Sequence, residues 1–588
     1  MNALKLFLRS LLFFFFIISL PLHAVEPCSA KNSVERVYAH LLINDAQSAL
    51  EAAKWGLNAY PLDKSMWMAY LDALAKNTDE KQMLEAWNRF LVLFPDERDN
   101  RQLIEAMAWG VILKGFNSSS PITRSMALIA AFFSQDAKGA ELIEKALTDQ
   151  NFILRSMAIQ LASHLRDSKL QNKILLLLNR ESNWKVRLEL IQAVGSMQIT
   201  EAKAALMDLL ADPKSSAEEQ AAAIQSLVAM TETVEREEIA RLATSDRASL
   251  RHLACQLIIH CELGKDVDLI IPLLQDSHAK VRAAGLYALG ILDLSTHQAV
   301  VSEREIIQHA TALLEDPNPS VSITAAWLLT LRKPYFGQAA LKRWLEDVDV
   351  QNRYLAASAL VATGKYGAPL LQQAINQTKE PFVRMNLALG MIYQRTNADQ
   401  ACQVLFEALT QEKGRWMRKE QGPFNVLAPS TIKFSDTIPQ YPEVVNQLTR
   451  LEVINILAMM KYPSAQEVVL AFLEQKTWGV TGLAAALLLT EGDESALELI
   501  SPLLEHPSYK VRIQAALILA LWGRDEETMD FLQQSYVDAN RDIKSKILEG
   551  LGRIGSTSSI PFLVKQLEDP SQSLRIIAAA SLLQCLYH

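Results

Sequence analysis

The residues from Leu273 to Leu292 read LLQDSHAKVRAAGLYALGIL, and they contain the pattern that decides the fold. An acidic residue, Asp276, is followed six positions later by Arg282 and then by an alanine-rich apolar stretch. The apolar residues from Val281 to Leu289 recur at helical spacing and share one face. The segment therefore predicts a turn that leads into a helix with one buried side.

The same phrase returns along the chain with a regular spacing. Successive arginines lie 32 residues apart from position 155 to 187, and 31 apart from 251 to 282 and from 353 to 384. Self-similarity with a period of 20–50 residues is typical of stacked arrays, in which each unit buries its apolar face only against its neighbours. The acid–arginine pairs are Asp149–Arg155, Glu181–Arg187, Asp246–Arg251, Asp276–Arg282, Asp347–Arg353 and Asp569–Arg575.

The repeated segments predict α-helices and no β-strands. Gly195 and Gly290 stand where a helix is expected to end, because glycine adopts the left-handed cap conformation at low cost. From about residue 120 onward no stretch alternates like a β-strand. We therefore predict an all-α fold, a solenoid of stacked antiparallel helix pairs.

A different period occupies residues 33–100. Leu50-Glu51-Ala52 recurs as Leu84-Glu85-Ala86, and Pro61 recurs as Pro95, each 34 residues later. This part resembles tetratricopeptide repeats, in which a proline follows the second helix of each unit.

The segments LLEHPSYKVRIQAALILALWG from Leu503 and QLEDPSQSLRIIAAASLLQCL from Gln566 are close relatives of the opening phrase. With about a dozen such units in register, residues 101–411 and 447–588 resemble HEAT-repeat proteins, of the subclass named for HEAT-like repeats in phycobilin lyases. The resemblance implies a right-handed superhelical α-solenoid whose second helices line a concave binding surface.

The resemblance also implies a role for the acid–arginine pairs. In HEAT-like proteins the corresponding residues form a structural ladder, in which the arginine of the same or a neighbouring unit holds the turn carboxylate. A binding lattice is the competing interpretation. The residues assigned to the ladder are Asp149, Arg155, Asp276, Arg282, Asp347, Arg353, Asp569 and Arg575.

An insertion at residues 412–446 is the largest departure from regularity. It carries two glycines, four prolines, and a run of four cations and one tryptophan in seven residues. Aromatic and arginine side chains are enriched at interface hot spots, so we predict a partner-binding patch. The alternative is a loop that packs back on the solenoid groove or is disordered. The predicted partner-binding residues are Lys413, Arg415, Trp416, Arg418, Lys419 and Phe424.

The first 24 residues have the anatomy of a secretory signal peptide. Lys5 and Arg9 precede the apolar run LLFFFFIISL, and Ala24 offers a small residue for cleavage. A retained anchor and lipidation at Cys28 are the alternatives. We expect export to the periplasm or cell envelope, with no membrane-spanning segment after cleavage. The net charge of −8 argues against a nucleic-acid partner.

Residues that suggest chemistry have simpler explanations. Gly550 to Gly555 matches a dinucleotide fingerprint, but it lies in a helical unit and not after a strand. His252, Cys255, His260 and Cys261 point in different directions around one helix, so they do not converge on a metal ion. We therefore predict no metal, no cofactor and no enzymatic activity.

The predicted function is an exported scaffold for protein–protein interactions through the concave face and the insertion. The alternatives are an enzyme, lyase-like or with a site in the groove, and an assembly or chaperone factor that holds client segments. The chain stops at His588 directly after the apolar SLLQCLY. Because solenoids need polar caps, we expect this end to dock, to oligomerise or to be covered by another element.

Overall fold

The computed structural model describes residues 29–165, 167–292, 301–412, 416–430, 441–467, 470, 500–522 and 527–587. Most of these residues lie in helices that form antiparallel pairs, each packed against the next. The predicted all-α solenoid is therefore confirmed. No described helix combines the length and the apolar character needed to cross a membrane. The predicted signal peptide, residues 1–24, lies outside the described residues.

Five helices form the N-terminal part, and their pairs end where the sequence places its prolines. They are α1 (Ala30–Leu42), α2 (Ala46–Ala59), α3 (Lys64–Lys76), α4 (Glu80–Leu93) and α5 (Arg101–Phe116). Helices α2 and α4 end two residues before Pro61 and Pro95. This helix-pair arrangement follows the predicted spacing, and the tetratricopeptide assignment stays a prediction.

The array continues in helix pairs up to the insertion. Its helices are α6 (Pro121–Phe133), α7 (Ala137–Ala146), α8 (Phe152–Ser163), α9 (Ser168–Leu178), α10 (Trp184–Ser196), α11 (Lys203–Ala211), α12 (Ala217–Ala229), α13 (Arg236–Ala243), α14 (Ala248–His260), α15 (Ala279–Ile291), α16 (Glu303–Ala312), α17 (Pro319–Arg332), α18 (Pro334–Leu345), α19 (Val350–Val361), α20 (Ala368–Gln377), α21 (Pro381–Tyr393) and α22 (Ala398–Gln411).

After the insertion the described helices are α23 to α28. They cover Tyr441–Met459, Tyr509–Trp522, Glu527–Ser535, Arg541–Ile554, Ile560–Gln566 and Gln572–Tyr587. The last glycine of the fingerprint-like motif, Gly555, has φ 71° and caps the C-terminal end of α26. The helical interpretation of that motif is thereby confirmed.

The second helix of most pairs begins at a side chain that caps it. Asn151, Asn183 and Asn318 precede α8, α10 and α17, and each side-chain oxygen accepts a backbone N–H bond of 2.9–3.0 Å from the first turn. The N–H of Asn151 in turn donates to the Asp149 carboxylate at 2.7 Å. The turn carboxylate therefore orients the cap that starts the helix.

Arg282 shows the contact that joins one pair to the next. Its Nη1 donates to the backbone carbonyl of Asp276 at 2.7 Å, within its own turn. Its Nε and Nη2 donate to the two carboxylate oxygens of Asp316 in the next turn, both at 2.8 Å. Arg155 makes the same contacts, to the Asp149 carbonyl at 2.8 Å and to the Glu181 carboxylate at 2.9 and 3.1 Å.

This contact recurs along the array. Arg353 and Arg575 donate to the carbonyls of Asp347 and Asp569 at 2.7 and 2.8 Å. Burial raises the pKa of Asp276, but hydrogen bonds from Arg251 and from the N–H of His278 outweigh it, so that pKa is lowered. Further arginine–carboxylate pairs between successive turns are Arg124–Asp149, Arg187–Glu219 and Arg251–Asp276.

The two ends of the array are in contact. The last helix, α28, packs against α5 and α6. Arg575 places its Nε and Nη2 at 3.0 and 2.8 Å from Oε2 of Glu80, and Lys114 Nζ lies 3.5 Å from the same oxygen. Glu80, the first residue of α4, therefore occupies the position that the carboxylate of a following repeat occupies elsewhere.

The closure corrects one prediction. Apolar residues of α28, among them Ile576 and Leu583, share a buried core with those of α3 to α6. The sequence predicts that this end docks, oligomerises or is covered by another element. In the structure the N-terminal helices of the same chain cover it. The predicted oligomer contact through the C-terminal end is wrong for this structure, because the chain's own helices already occupy that surface.

The glycines predicted to cap helices have a different role. Helices α10 and α15 run one residue past Gly195 and Gly290, so neither glycine is a cap. A Cβ atom at Gly290 would lie 2.2 Å from the Trp327 ring, and one at Gly195 would lie 2.5 Å from Ser226 Oγ. Both positions require glycine because neighbouring helices approach closely there.

The insertion is not simply a loop. Strands β1 (Trp416–Gln421) and β2 (Phe424–Pro429) pair antiparallel as a hairpin, and α23 already begins at Tyr441. The expectation that no strand occurs in this part of the chain is therefore wrong for residues 416–429. The helical repeats resume at residue 441, earlier than the predicted 447.

We predict that Arg575→Ala loosens the N-terminal helices from the C-terminal end. Glu80 is 5% exposed, and removing its main cationic partner leaves a buried carboxylate that Lys114 compensates only in part, at a cost of about 2 kcal/mol. Amide hydrogen exchange should speed up in α3–α5. Arg282→Ala is the matched control, because it breaks an equivalent contact away from the closure. Equal exchange of α3–α5 in the two variants would contradict the prediction.

Candidate functional site

The hairpin is fixed to the array by a buried asparagine. Asn386 on α21 is 6% exposed. Its side-chain amide donates to the carbonyl of Leu427 at 2.7 Å and accepts from the N–H of the same residue at 2.9 Å. The Ser358 hydroxyl donates to the same Asn386 oxygen at 3.2 Å. The asparagine thus takes the place of a third strand beside β2 and sets its position on the helices.

Trp416, the first residue of β1, is completely buried. Its ring meets that of Phe382 edge to face with centroids 6.1 Å apart. The guanidinium carbon of Arg450 lies 4.9 Å from the centroid of the Trp416 ring, a cation–π geometry. Arg450 also donates to the carbonyl of Glu412, so it connects both ends of the insertion.

Phe424 fixes the far end of the hairpin. Its ring centroid lies 5.8 Å from Tyr287 on α15 and 5.6 Å from Trp327 on α17, in edge-to-face contacts. Tyr287 and Trp327 stack on each other at 5.1 Å. Gly290 provides the room for Trp327, so its absent side chain is part of this aromatic cluster.

The turn of the hairpin consists of Gly422 and Pro423. Gly422 has φ 59°, as the first central position of a type II′ turn requires. A Cβ atom there would also lie 2.2 Å from the hydroxyl oxygen of Ser320. Glycine is therefore needed both for the backbone and for the close approach to α17.

These contacts correct the predicted role of the two aromatic residues. Trp416 and Phe424 are 0% and 4% exposed, and both contact the chain's own helices. They cannot serve as partner contacts in this conformation. The physical reason is the position of Trp416 at the start of β1, where its ring packs between Phe382 and Arg450, whereas Arg418 further along the strand is exposed.

The predicted basic residues divide into two groups. Nε of Arg418 lies 2.7 Å from the Glu452 carboxylate, and the Lys419 ammonium donates to the side chain of Gln351. Lys413 and Arg415 lie outside the described residues. A partner-binding role for the cations stays a prediction.

The hairpin turn forms one wall of a cavity of about 810 Å³. The other walls are α12, α14 and α15, the second helices of three successive repeats. The hairpin supplies Glu420, Gly422, Pro423 and Asn425. One wall of the cavity therefore comes from a segment more than 120 residues further along the chain, which folds back over these helices.

The lining is rich in amides and imidazoles. Gln220, Gln225 and Gln256 face the cavity, together with three histidines and Lys280. Burial and the charge of Lys280 lower the pKa of His252 to about 4. His252 is therefore neutral at physiological pH, and the cavity offers neutral hydrogen-bonding groups in the main.

The cavity holds no visible catalytic arrangement among its described residues. The hydroxyl of Ser249 donates to the carbonyl of Leu210 at 2.7 Å and does not meet a base. Cys255 is fully buried, and burial raises the pKa of its thiol to about 12. Within the described part of the chain, no three His, Cys, Asp or Glu residues are grouped to hold a metal.

Sequence reasoning missed Asn386 and the cavity. The signal for Asn386 is present in PFVRMNLALG at residues 381–390, where an amide interrupts an apolar helical face. A buried amide needs hydrogen-bond partners. The sequence does not show that these partners belong to a strand 41 residues further on.

We predict that Asn386→Leu releases the hairpin. The substitution leaves both backbone groups of the buried Leu427 unpaired, at a cost of about 2–4 kcal/mol. Trypsin should then cleave rapidly after Arg418 and Lys419. Asn376→Leu is the control, because that exposed amide bonds only within α20 and to Gln400. Cleavage unchanged from the natural protein would show that Asn386 does not hold the hairpin.

His252 predicts a pH dependence of stability. Its pKa is lower in the folded state than in the unfolded chain, where it is about 6.5, so the unfolded state binds more protons between these values. The free energy of unfolding should fall as the pH drops from about 6.5 toward 4, by an amount on the order of 3 kcal/mol. Denaturant unfolding of the natural protein and of His252→Gln at several pH values measures this term. The difference between the two should change across that window, and a constant difference contradicts the prediction.

The comparisons with known proteins agree with the architecture. Residues 139–228 and 496–584 match the family model described as HEAT repeats. The chain therefore contains HEAT repeats, as the opening phrase predicts, and the phycobilin-lyase subclass remains a prediction. No curated protein of similar sequence was found.

Three solved structures illustrate the similarity. YibA of Escherichia coli is 16% identical over 47% of this chain and 98% of its own, with a TM-score of 0.30. The myosin chaperone UNC-45 of C. elegans, solved with an Hsp90 peptide, is 13% identical over 95% and 81%, with a TM-score of 0.36. Kap121p is 13% identical over 95% and 78%, with a TM-score of 0.34. Scores this low carry no information on function.

Proposed function

We propose that this HEAT-repeat chain is an exported, non-enzymatic scaffold that binds a segment of a partner protein in the cavity beneath the hairpin. The observation that carries the proposal is the cavity itself, which the second helices of three repeats and the insertion build together. Stacked repeats create extended surfaces of this kind, and such surfaces are used for binding.

The size and the lining of the cavity favour a peptide segment. Its volume of about 810 Å³ is within the usual range of ligand sites. Glutamine amides and the neutral imidazole of His252 both donate and accept hydrogen bonds, so they match the N–H and C=O groups of a polypeptide backbone. Alanines and Pro423 supply apolar contact between them.

Export rests on the sequence of residues 1–24. Lys5, Arg9 and the apolar run that follows support a cleaved signal peptide. A periplasmic or envelope location is the compartment that we propose on this basis.

A photo-crosslinking amino acid placed at Ala221 tests the proposal in cells. Ala221 lines the cavity and is exposed, so the probe should capture a defined protein, and mass spectrometry should identify it. The same probe at Ala204, which is exposed on α11 outside the cavity, is the matched control. Capture of the same proteins at both positions contradicts the proposal. The spectra also report whether the mature chain begins after Ala24.

Ala221→Trp is the complementary variant. The indole fills part of the cavity, so the partner captured from other positions should bind at least about tenfold more weakly, a loss of about 1.4 kcal/mol. Ala204→Trp should leave the affinity unchanged. One partner in fixed ratio supports a scaffold, whereas many clients at Ala221 would indicate a chaperone.

A further inference from the structure

Four consecutive repeats share a feature at the turn that follows their second helix. These turns, residues 332–336, 362–366, 393–397 and 459–462, follow α17, α19, α21 and α23. We refer to them together as the basic edge. They belong to other repeats than the cavity helices α12, α14 and α15, and they include the ends of the flanking helices, with Tyr335 and Phe336 in the first turn of α18.

Each of these turns presents one exposed cation. The four side chains are Lys333, Lys365, Arg395 and Lys461, and none makes an ion pair with a described residue. The chain as a whole has a net charge of −8. The basic edge is therefore a positively charged region on a chain that is negatively charged overall.

Each turn also exposes apolar surface beside its cation. Tyr335 and Phe336 are 83% and 62% exposed, and Tyr393 is 71% exposed. Tyr366 and Met459 are 42% and 51% exposed. Large side chains of this kind are costly to leave in water, and aromatic residues next to cations are typical of interaction surfaces.

Hydrogen bonds show that the first three turns lie next to one another. Gln338, near the first turn, donates to the carbonyl of Tyr366 at 2.6 Å. Gln394, in the third turn, donates to the carbonyl of Val361 at 3.0 Å, beside the second. The ring of Tyr462 in the fourth turn lies 5.7 Å from Phe406 of α22, which follows the third. The first three turns of the basic edge are therefore direct neighbours, and the fourth belongs to the next repeat.

The equivalent turns of earlier repeats differ. After α10, α12 and α14 the sequence reads MQIT, MTETV and CELG, from residues 197, 230 and 261. None of these turns contains an aromatic residue, although the one after α14 continues with the exposed Lys265, so it is the aromatic side chains beside the cations that distinguish the basic edge. The composition of the basic edge is thus not a general property of the repeat.

We infer that the basic edge binds an extended, acidic segment of a partner protein, with a carboxylate at about every third residue. Adjacent packed helices are about 8–10 Å apart, and a chain in the extended polyproline II conformation advances about 3.1 Å per residue with every third side chain on the same side. Three residues therefore span one repeat, which matches carboxylates to the one cation of each turn. The exposed tyrosines and Phe336 cover the residues between the carboxylates.

The test uses the full-length protein and two labelled peptides of twelve residues. One has glutamate at every third position among serines and prolines, and the other has the same composition with its four glutamates in succession. Fluorescence anisotropy should show that the spaced peptide binds more tightly than the clustered one. Added salt should weaken the binding, because the contacts are between exposed charges.

Charge reversal at the edge should remove this binding. Lys365→Glu with Arg395→Glu should weaken the spaced peptide at least about tenfold, and Tyr335→Ala with Phe336→Ala should weaken it several-fold. Lys169→Glu with Lys214→Glu is the matched control, because it makes the same change in net charge at exposed sites on earlier repeats. That variant should bind as the natural protein does.

Several results would overturn the inference. Equal binding of the two peptides would indicate general attraction of negative charge, and equal loss in the control variant would indicate the same. Loss of peptide binding in Ala221→Trp would place the peptide in the cavity. The protein could instead bind vesicles of phosphatidylserine and neither peptide. If Lys365→Glu with Arg395→Glu abolished that vesicle binding, the basic edge would be a membrane-binding surface.

Discussion

Each of Arg155, Arg251 and Arg282 in the repeated phrase is shared between two turns. Its Nη1 holds carbonyls of its own turn, while Nε and Nη2 hold the carboxylate of the next. Arg282 and Asp316 are 14% and 5% exposed at their side chains, so the forked, charge-assisted bonds act with little competition from water. Because a carboxylate also binds the N–H of the residue that caps its helix, one contact fixes where a helix begins and how far it lies from its neighbour. The positions of all later elements depend on this spacing.

The insertion depends on that spacing because it crosses four repeats. Phe424 contacts Tyr287 on α15 and Trp327 on α17, Lys419 reaches α19, and Asn386 holds β2 on α21. A hairpin of twelve strand residues fits all of these partners only if the four helices keep their distances. The ladder thus sets the width of the surface, and the hairpin converts part of that open surface into a cavity with a defined wall.

The repeats could be read from the sequence because their signals are local. An acidic residue, a cap residue and an arginine within seven positions determine a turn and the start of a helix. Gly555 ends its helix through its own backbone conformation, which does not depend on contacts with distant residues. The hairpin could not be read in the same way. Its cations suggested an exposed loop, whereas the burial of Trp416 depends on Phe382 and Arg450, which lie on different helices. The end-to-end contact was equally hidden, since Glu80 belongs to a segment with another period and lies 495 residues from Arg575.

The contact between the ends changes what the cavity can do. In an open solenoid each repeat contacts only its neighbours, so the array spreads when a single seam opens. Here the ion pair of Arg575 with Glu80 joins the last helix to the N-terminal part, and the hairpin ties four repeats together. Spreading the cavity helices therefore requires that more than one set of buried contacts breaks at once. A binding surface held in this way loses little freedom when a partner arrives, and this preorganisation leaves more of the contact energy for affinity.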